Sequence, residues 1–469
     1  MKQETMDSVT IQQLCDVTGG TLVGRADFAA EITGCSIDSR QVRPGDAFFA
    51  LSGETHHGVS FVQSAVNSGA AIIVADDTAQ GAITFPHVAV PDCGDALAQL
   101  AALNRANSEA LVIGVTGSVG KTTTRTMIDS VLKSRHWGIQ SPANYNNHLG
   151  VPLTLLQLNS EHEYAVVEIG TSMPGEIQHL TRIAQPEFGV LTRVSAAHLQ
   201  GLKTLKDVRS EKQKLLSALP DEGIAFLNAD DPLVAELKDV ITPHTVLFGT
   251  HSEADVRVSQ FEQTANLLTA TIDGVEYQVT ACGAHHVSAM AAAVAVGLEI
   301  GLSTREIQQG LNLFRPAPGR SQLMTGQFGP LIDDTYNASP ASMLAAINTL
   351  NNFPAAGHRI LVLSDMLDLG QQSDALHREL GAQLASSQIH HVLVCGEFAE
   401  TTVSAFLDHA GDLNRVSVFS DLNQLSVILE VIAGEGDAIL VKGSRATHME
   451  RIVESLLPQT NVQTGRRAA

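Results

Sequence analysis

Residues 114–125 read GVTGSVGKTTTR and follow the apolar run ALVI. A buried-strand run, a turn built on Gly117 and Gly120, and a helix-forming stretch opening at Lys121 make a strand–loop–helix unit. Such a unit commits the chain to a layered α/β arrangement, because the loop must sit at the end of a strand covered by helices. Glycines let successive backbone N–H groups turn towards an anion. Lys121 brings a point charge to the outer phosphates of a nucleotide, and the Thr122 hydroxyl suits magnesium. Val115 stands where the usual pattern has its first glycine, so the loop is a variant. Thr116, Gly117, Ser118, Val119, Gly120, Lys121, Thr122 and Thr123 are its expected nucleotide-binding residues.

A magnesium–nucleotide site calls for a carboxylate at the end of a neighbouring strand. YAVVEIG supplies Glu168 after an apolar run, where an ionised group is costly unless a cation meets it. The N-K-x-D base-reading motif of nucleotide-controlled switches does not occur in the sequence.

Around this unit the pattern divides into three zones, and an α/β protein of three domains is expected. In residues 1–107, DAFFAL and GAAIIVAD alternate with the turn-rich SRQVRPGD and LSGETHHG, and a helical stretch, DALAQLAALNRANS, closes a small α/β domain. In 108–317, ALVIGVTG, YAVVEIG, FGVLTRV and GIAFLNAD alternate with helical patterns. One of these places Met127, Ile128, Val131 and Leu132 on a single face, so a mostly parallel, doubly wound sheet is expected. SAMAAAVAVGLEIG reads as a buried helix ended by glycine. In 318–469, RILVLSD, HHVLVCG and DAILVKG predict a second, smaller, Rossmann-like open sheet, without the G-x-G-x-x-G of a bound dinucleotide. The tail NVQTGRRAA is expected to fray.

With 50 acidic residues against 29 basic ones and no basic run, the chain lacks the track that nucleic acid requires. Cys15, Cys35, Cys93, Cys282 and Cys395 form no close pair, which favours free thiols over a disulfide framework or zinc site. The N-terminal stretch has no apolar signal core, and no run reaches 18 apolar residues. A cytoplasmic enzyme without membrane insertion is expected.

Longer pieces carry a resemblance: DSR (38–40), TGSVGKTTT, NYNNHLGVPLTLL (144–156), VVEIG, AAHLQG (196–201), PGR (318–320), DDTYNASPASM (333–343), LSDMLDLG (363–370) and VKGSR (441–445). Through them the whole chain resembles the Mur ligases, ATP-dependent amide-forming enzymes of peptidoglycan assembly. TYNASPASM, DMLDLG and KGSR favour the dipeptide-adding branch. Its partners would be UDP-N-acetylmuramoyl-tripeptide and D-alanyl-D-alanine, its cofactors ATP and Mg2+, and its state a monomer.

The resemblance implies three roles for the zones: a UDP-sugar domain, a central ATPase domain and a C-terminal domain that closes on it. It also implies a reaction in which a substrate carboxylate takes the γ-phosphate and an amine then displaces phosphate from the acyl phosphate. Lys121, Glu168, His198, Lys212 and Arg320 would carry catalysis. One magnesium would lie on Thr122 and Glu168, and a second near His198 and a carbamylated Lys212. Asn147, His285, Arg320 and Asp334 would join the phosphate loop in holding ATP, Asp334 at the ribose. Ser36, Asp38, Ser39, Arg40, Asn146, Tyr336, Asn337, Ser339 and Arg445 would contact the other substrates. LNADDP (227–232) matches a segment beside the nucleotide.

Three departures bear on recognition rather than on phosphoryl transfer. The family's G-x-H-N is here Gly283-Ala284-His285-His286, with Ala289 in place of a second asparagine. D-G-H becomes His57-Gly58-Val59, and Thr171-Ser172-Met173 follows Glu168 where asparagine and histidine are frequent.

Overall fold

The computed structural model describes residues 5–53, 57–79, 81–409 and 411–458. The tail expected to fray lies outside them. Its contacts divide the chain into two compact units, one of residues 1–194, 209–257 and 291–313, the other of 195–208, 258–290 and 314–469.

Among its described residues the first unit holds a two-stranded antiparallel ladder, Val9–Thr10 with Glu31–Ile32, and two larger sheets. The smaller is made of β1 (Thr21–Val23), β2 (Gly34–Ser36), β3 (Asp46–Phe49), β4 (Ile72–Asp76) and β5 (His87–Val90), in the order β1-β5-β4-β3-β2. All its ladders are parallel except that of the edge strand β1. Strands covered on both faces read as unbroken apolar runs. Phe48, Ile73 and Ala75 accordingly meet one core cluster. Phe49, Ile72 and Val74 meet another, shared with helix α1 (Cys93–Ala106) and with Leu155 and Val167 of the central zone.

The larger sheet contains β6 (Leu111–Thr116), β7 (Gly138–Gln140), β8 (Tyr164–Glu168), β9 (Phe188–Leu191), β10 (Ile224–Asn228) and β11 (His244–Gly249). They pair in parallel in the order β11-β10-β9-β6-β8-β7. The loop strand β6 is therefore flanked by β9 and β8. Helix α2 (Lys121–Leu132) buries Met127, Ile128, Val131 and Leu132, the face read from the sequence. Further elements of this unit are α3 (Gly150–Leu155) and α4 (Glu176–Ala184). The chain's one tryptophan, Trp137, is half exposed just before β7 and stacks on His162 with ring centroids 6.2 Å apart.

Helix α5 (Leu205–Ser217) and helix α6 (His286–Glu299) each carry residues of both units. Every residue of α6 from Met290 to Val296 is buried, as its small side chains suggested. Glycine follows it at Gly301, with φ +82°. Helix α7 (Thr304–Leu313) packs against α2, and Gly310 makes the approach possible: a Cβ there would lie 2.4 Å from Val131 Cα.

The sequence reading did not single out β12 (Val256–Gln263), β13 (Leu267–Ile272) and β14 (Val275–Thr280). β12 starts parallel to β11, and β12-β13-β14 continue as an antiparallel meander. Leu268, Ala270, Ile272, Tyr277 and Val279 point inward with period two. The other sheet of the second unit contains β15 (Gln322–Thr325), β16 (Pro330–Asp334), β17 (Arg359–Ser364), β18 (His391–Cys395), β19 (Val416–Phe419) and β20 (Ala438–Lys442). Their order is β15-β16-β20-β17-β18-β19, parallel apart from β15. Helix α8 (Pro340–Asn352) follows β16. All five cysteines are free thiols. Among the described residues, no helix is long and apolar enough to cross a membrane.

Candidate active site

β6 ends at Thr116 and the chain turns through Gly117–Gly120 into α2. A Cβ on Gly117 would fall 1.9 Å from Thr192 Oγ1, on the loop after the neighbouring strand β9. Thr192 in turn donates its hydroxyl to the Val119 carbonyl at 2.6 Å, tying the loop to that strand end. Gly120, at φ +84°, takes up the left-handed turn that starts the helix. The loop thus presents backbone donors at the positive end of a twelve-residue helix. Lys121 Nζ donates to the Gly117 carbonyl at 2.9 Å, which lays the ammonium over the loop.

Strand pairing sets Glu168 opposite Val115, so β8 ends beside the loop. Its carboxylate is 1% exposed. Oε2 accepts from Thr122 Oγ1 at 2.8 Å and Oε1 from Asn146 Nδ2 at 2.8 Å, while Arg125 Nε stands 3.6 Å from Oε2. A buried carboxylate and a threonine hydroxyl beside a phosphate loop form the oxygen donor set that magnesium takes when nucleotide phosphates and water complete its shell. The described residues contain no cluster of three His, Cys, Asp or Glu suited to a metal. The residues present fit Mg-ATP, with the phosphates as co-ligands.

Lys212, on α5, is 1% exposed. Burial, and then the neighbouring Lys121 charge, push its amine well below the ordinary lysine range, with Glu211 opposing. Glu211 accepts from the Gly175 and Ile177 amides at the start of α4, each at 3.0 Å, and from Lys214 Nζ at 2.6 Å. That anchor holds the turn of α5 carrying Lys212.

The two asparagines of the NYNN segment do different work. Asn146 reaches Glu168, whereas Asn147 Oδ1 accepts from the Leu149 and Gly150 amides in the turn that leads into α3. Beside them lies a cleft of about 240 Å³ lined by Asn146, His148, Thr171, Glu176 and His179. His148 and His179 also line a second cleft of about 350 Å³, which extends to Ser52, Asp76 and Asp92 of the first zone.

In the first zone Ser36 Oγ donates to the Asp38 carbonyl, and Ser39 is buried. Arg40 Nε and Nη2 reach Asp38 at 2.9 and 2.7 Å, and these bonds hold the carboxyl down to about 2. The arginine is 85% exposed, so its fork is engaged with Asp38 at the surface. In LNADDP, Asn228 Nδ2 donates to the Thr192 carbonyl and Asp231 Oδ2 accepts from the Val194 amide. Both fix the segment that backs the phosphate loop, a role the sequence did not signal.

The remaining site residues belong to the second unit. His198 sits at φ +54° before a short helix, Leu199–Leu202. Arg320 lies over the Tyr336 ring, 4.0 Å from its centroid, and the Tyr336 amide donates to the Gly319 carbonyl. Asp334, expected at a ribose, accepts from Lys442 Nζ at 2.6 Å and from the Ser321 amide at 3.0 Å. Ser339 caps α8, and Asn337 Oδ1 accepts from the Ala338 amide. Arg445 is exposed, 3.8 Å from Glu450. His285 packs against His286 with centroids 4.2 Å apart. His286 is 2% exposed, and neither ring nitrogen has a hydrogen-bond partner among the described residues. Burial, and then His285, push its pKa well down, so the ring is neutral.

Comparison with known proteins matches this architecture. The Mur ligase family catalytic domain covers residues 31–105, the Mur ligase middle domain 115–297, and the Mur ligase glutamate ligase domain 319–445. The UDP-N-acetylmuramoyl-tripeptide--D-alanyl-D-alanine ligase of Bacillus subtilis is 32% identical, over 96% of this chain and 98% of its own. The Escherichia coli protein of the same name is 33% identical over 96% and 99%. A crystal structure of MurF from Acinetobacter baumannii superposes with a TM-score of 0.85 at 30% identity, covering 96% of this chain and 99% of that one. The MurF ligase of Thermotoga maritima in complex with ADP gives 0.78 at 28% identity, over 90% and 96%. With its loop, carboxylate and three matched domains, the chain belongs to the Mur ligase family.

Proposed function

We propose that the protein joins D-alanyl-D-alanine to UDP-N-acetylmuramoyl-tripeptide, converting ATP to ADP and phosphate in the assembly of peptidoglycan precursors. The observation that carries this reading is the buried Thr122–Glu168–Asn146 cluster at the mouth of the phosphate loop. The family and the near full-length relatives support the choice of substrates.

Phosphoryl transfer between a carboxylate and ATP brings two anions together, so the protein's task is charge screening and alignment. Magnesium supplies Lewis-acid screening of the phosphate oxygens when bound. Thr122 and Glu168 would hold it, and Asn146 and Arg125 keep Glu168 in place. Lys121 screens the outer phosphates. Burial and the Lys121 charge make the Lys212 amine less basic, which favours the form that carbon dioxide converts to a carbamate, and that carbamate and His198 would be ligands for a second ion. Arg320 meets the γ-phosphate. The substrate carboxylate becomes an acyl phosphate, and the dipeptide amine displaces phosphate from it.

Ser36, Asp38, Ser39 and Arg40 contact the UDP-sugar, with Arg40 exchanging Asp38 for the diphosphate. Tyr336, Asn337, Ser339 and Arg445 face the dipeptide. The protein works as a cytoplasmic monomer with domain limits at 1–107, 108–317 and 318–469. Phosphate release from Mg-ATP is expected only when tripeptide precursor and D-alanyl-D-alanine are both present, with a pentapeptide product of matching mass. Release indifferent to the dipeptide would overturn the assignment.

A further inference from the structure

Lys442 ends β20, in parallel register with Asp334 at the end of β16. Its side chain is 2% exposed, and an ammonium so far from water is costly unless fully paired. Nζ donates to Asp334 Oδ2 at 2.6 Å and to the Asn337 carbonyl at 3.0 Å. The other oxygen of Asp334 accepts from the Ser321 amide at 3.0 Å and lies 3.3 Å from the Ser321 hydroxyl, which also reaches His285 Nε2 at 3.4 Å.

Ser321 is held at φ +49°, and Gly319, two residues earlier, at φ +71°. Arg320 therefore lies between two left-handed residues, a conformation that a serine adopts only when its surroundings impose it. Its guanidinium rests on Tyr336, whose amide is bonded to Gly319. Both carboxylate oxygens of Asp334 are thus taken by the chain, one by the buried lysine and one by this turn.

We propose that Lys442 is a positioning residue for Arg320: by fixing Asp334 it imposes the Gly319–Ser321 turn that aims the arginine. The inference rests on the reading that Arg320 serves the phosphoryl transfer. In that role a misaimed arginine slows the chemical step far more than it weakens binding of the tripeptide precursor.

The test is a double-mutant cycle in the full-length protein with Lys442→Met and Arg320→Ala. Lys442→Met alone is expected to lower kcat roughly tenfold to a hundredfold with KM for the tripeptide precursor unchanged. Added to Arg320→Ala it should lower kcat no further, because the two act as one unit. A multiplicative loss, or no loss from Lys442→Met alone, would overturn the proposal. The charge-balanced pair Asp334→Asn with Lys442→Gln takes the place of Lys442→Met in the cycle if the latter fails to fold. Hydrogen exchange supplies a readout independent of ligation. The Ser321 amide should exchange faster in the Lys442 variant, and unchanged protection would sink the link. If the wild-type protein ligates nothing, the assigned reaction falls, and the exchange experiment alone decides whether Lys442 holds the turn.

Discussion

A lysine amine buried beside a second lysine is made less basic by desolvation and by the like charge, at some cost to the fold. Lys212 is in that position, and its usefulness must lie in chemistry rather than stability. Lys212→Met removes the amine and keeps the bulk. We expect it to raise the melting temperature while cutting ligase turnover by at least about a hundredfold, the scale of losing a catalytic group. Calorimetry and the phosphate assay check the pair, and a lowered melting temperature would mean that the amine is held by compensating contacts. At this scale the sequence was legible where chemistry is local. Lys121, Thr122 and Glu168 belong to short patterns with one physical purpose, and the structure brings them together. Lys442 was not legible, because the carboxylate that gives it meaning lies 108 residues away in sequence and adjacent only across a strand ladder.

Elements show the same division. Strands buried on both faces advertise themselves as apolar runs, so β6, β8, β9 and β10, and β17, β18 and β20 of the second unit, could be read in advance. The meander β12-β13-β14 alternates apolar and polar residues, and its pairing depends on turns between strands rather than on a continuous run. Contact between helices is equally silent in sequence. Gly310 reads as an ordinary helix weakness, yet it is where α7 meets the backbone of α2. Gly310→Ala gains about 1 kcal/mol of helix propensity. It also forces a Cβ to within 2.4 Å of Val131 Cα, a backbone atom that cannot swing aside. Overpacking typically costs about 1–3 kcal/mol, so net destabilisation is expected. A lowered melting temperature checks it, and an unchanged or raised one would show that the helices separate freely.

The whole molecule carries a formal charge of -21, yet the reaction assigned to it consumes anions. Attraction must therefore be local, concentrated at Lys121, the start of α2 and magnesium. Ligand that binds only the folded state raises stability by mass action, by about 2.7 kcal/mol at a hundredfold excess over Kd. Mg-ADP should accordingly raise the melting temperature, and EDTA or Lys121→Met should abolish most of that shift. A shift that survives both would place the nucleotide elsewhere. Trp137 is the only indole in the chain, and it lies in the first unit. Its fluorescence is a private report from that half of the protein. A denaturant titration followed by tryptophan emission will trace the first unit and stay dark to the six-stranded sheet, whose loss circular dichroism can see. Any gap between the two curves measures how far the halves melt as separate bodies.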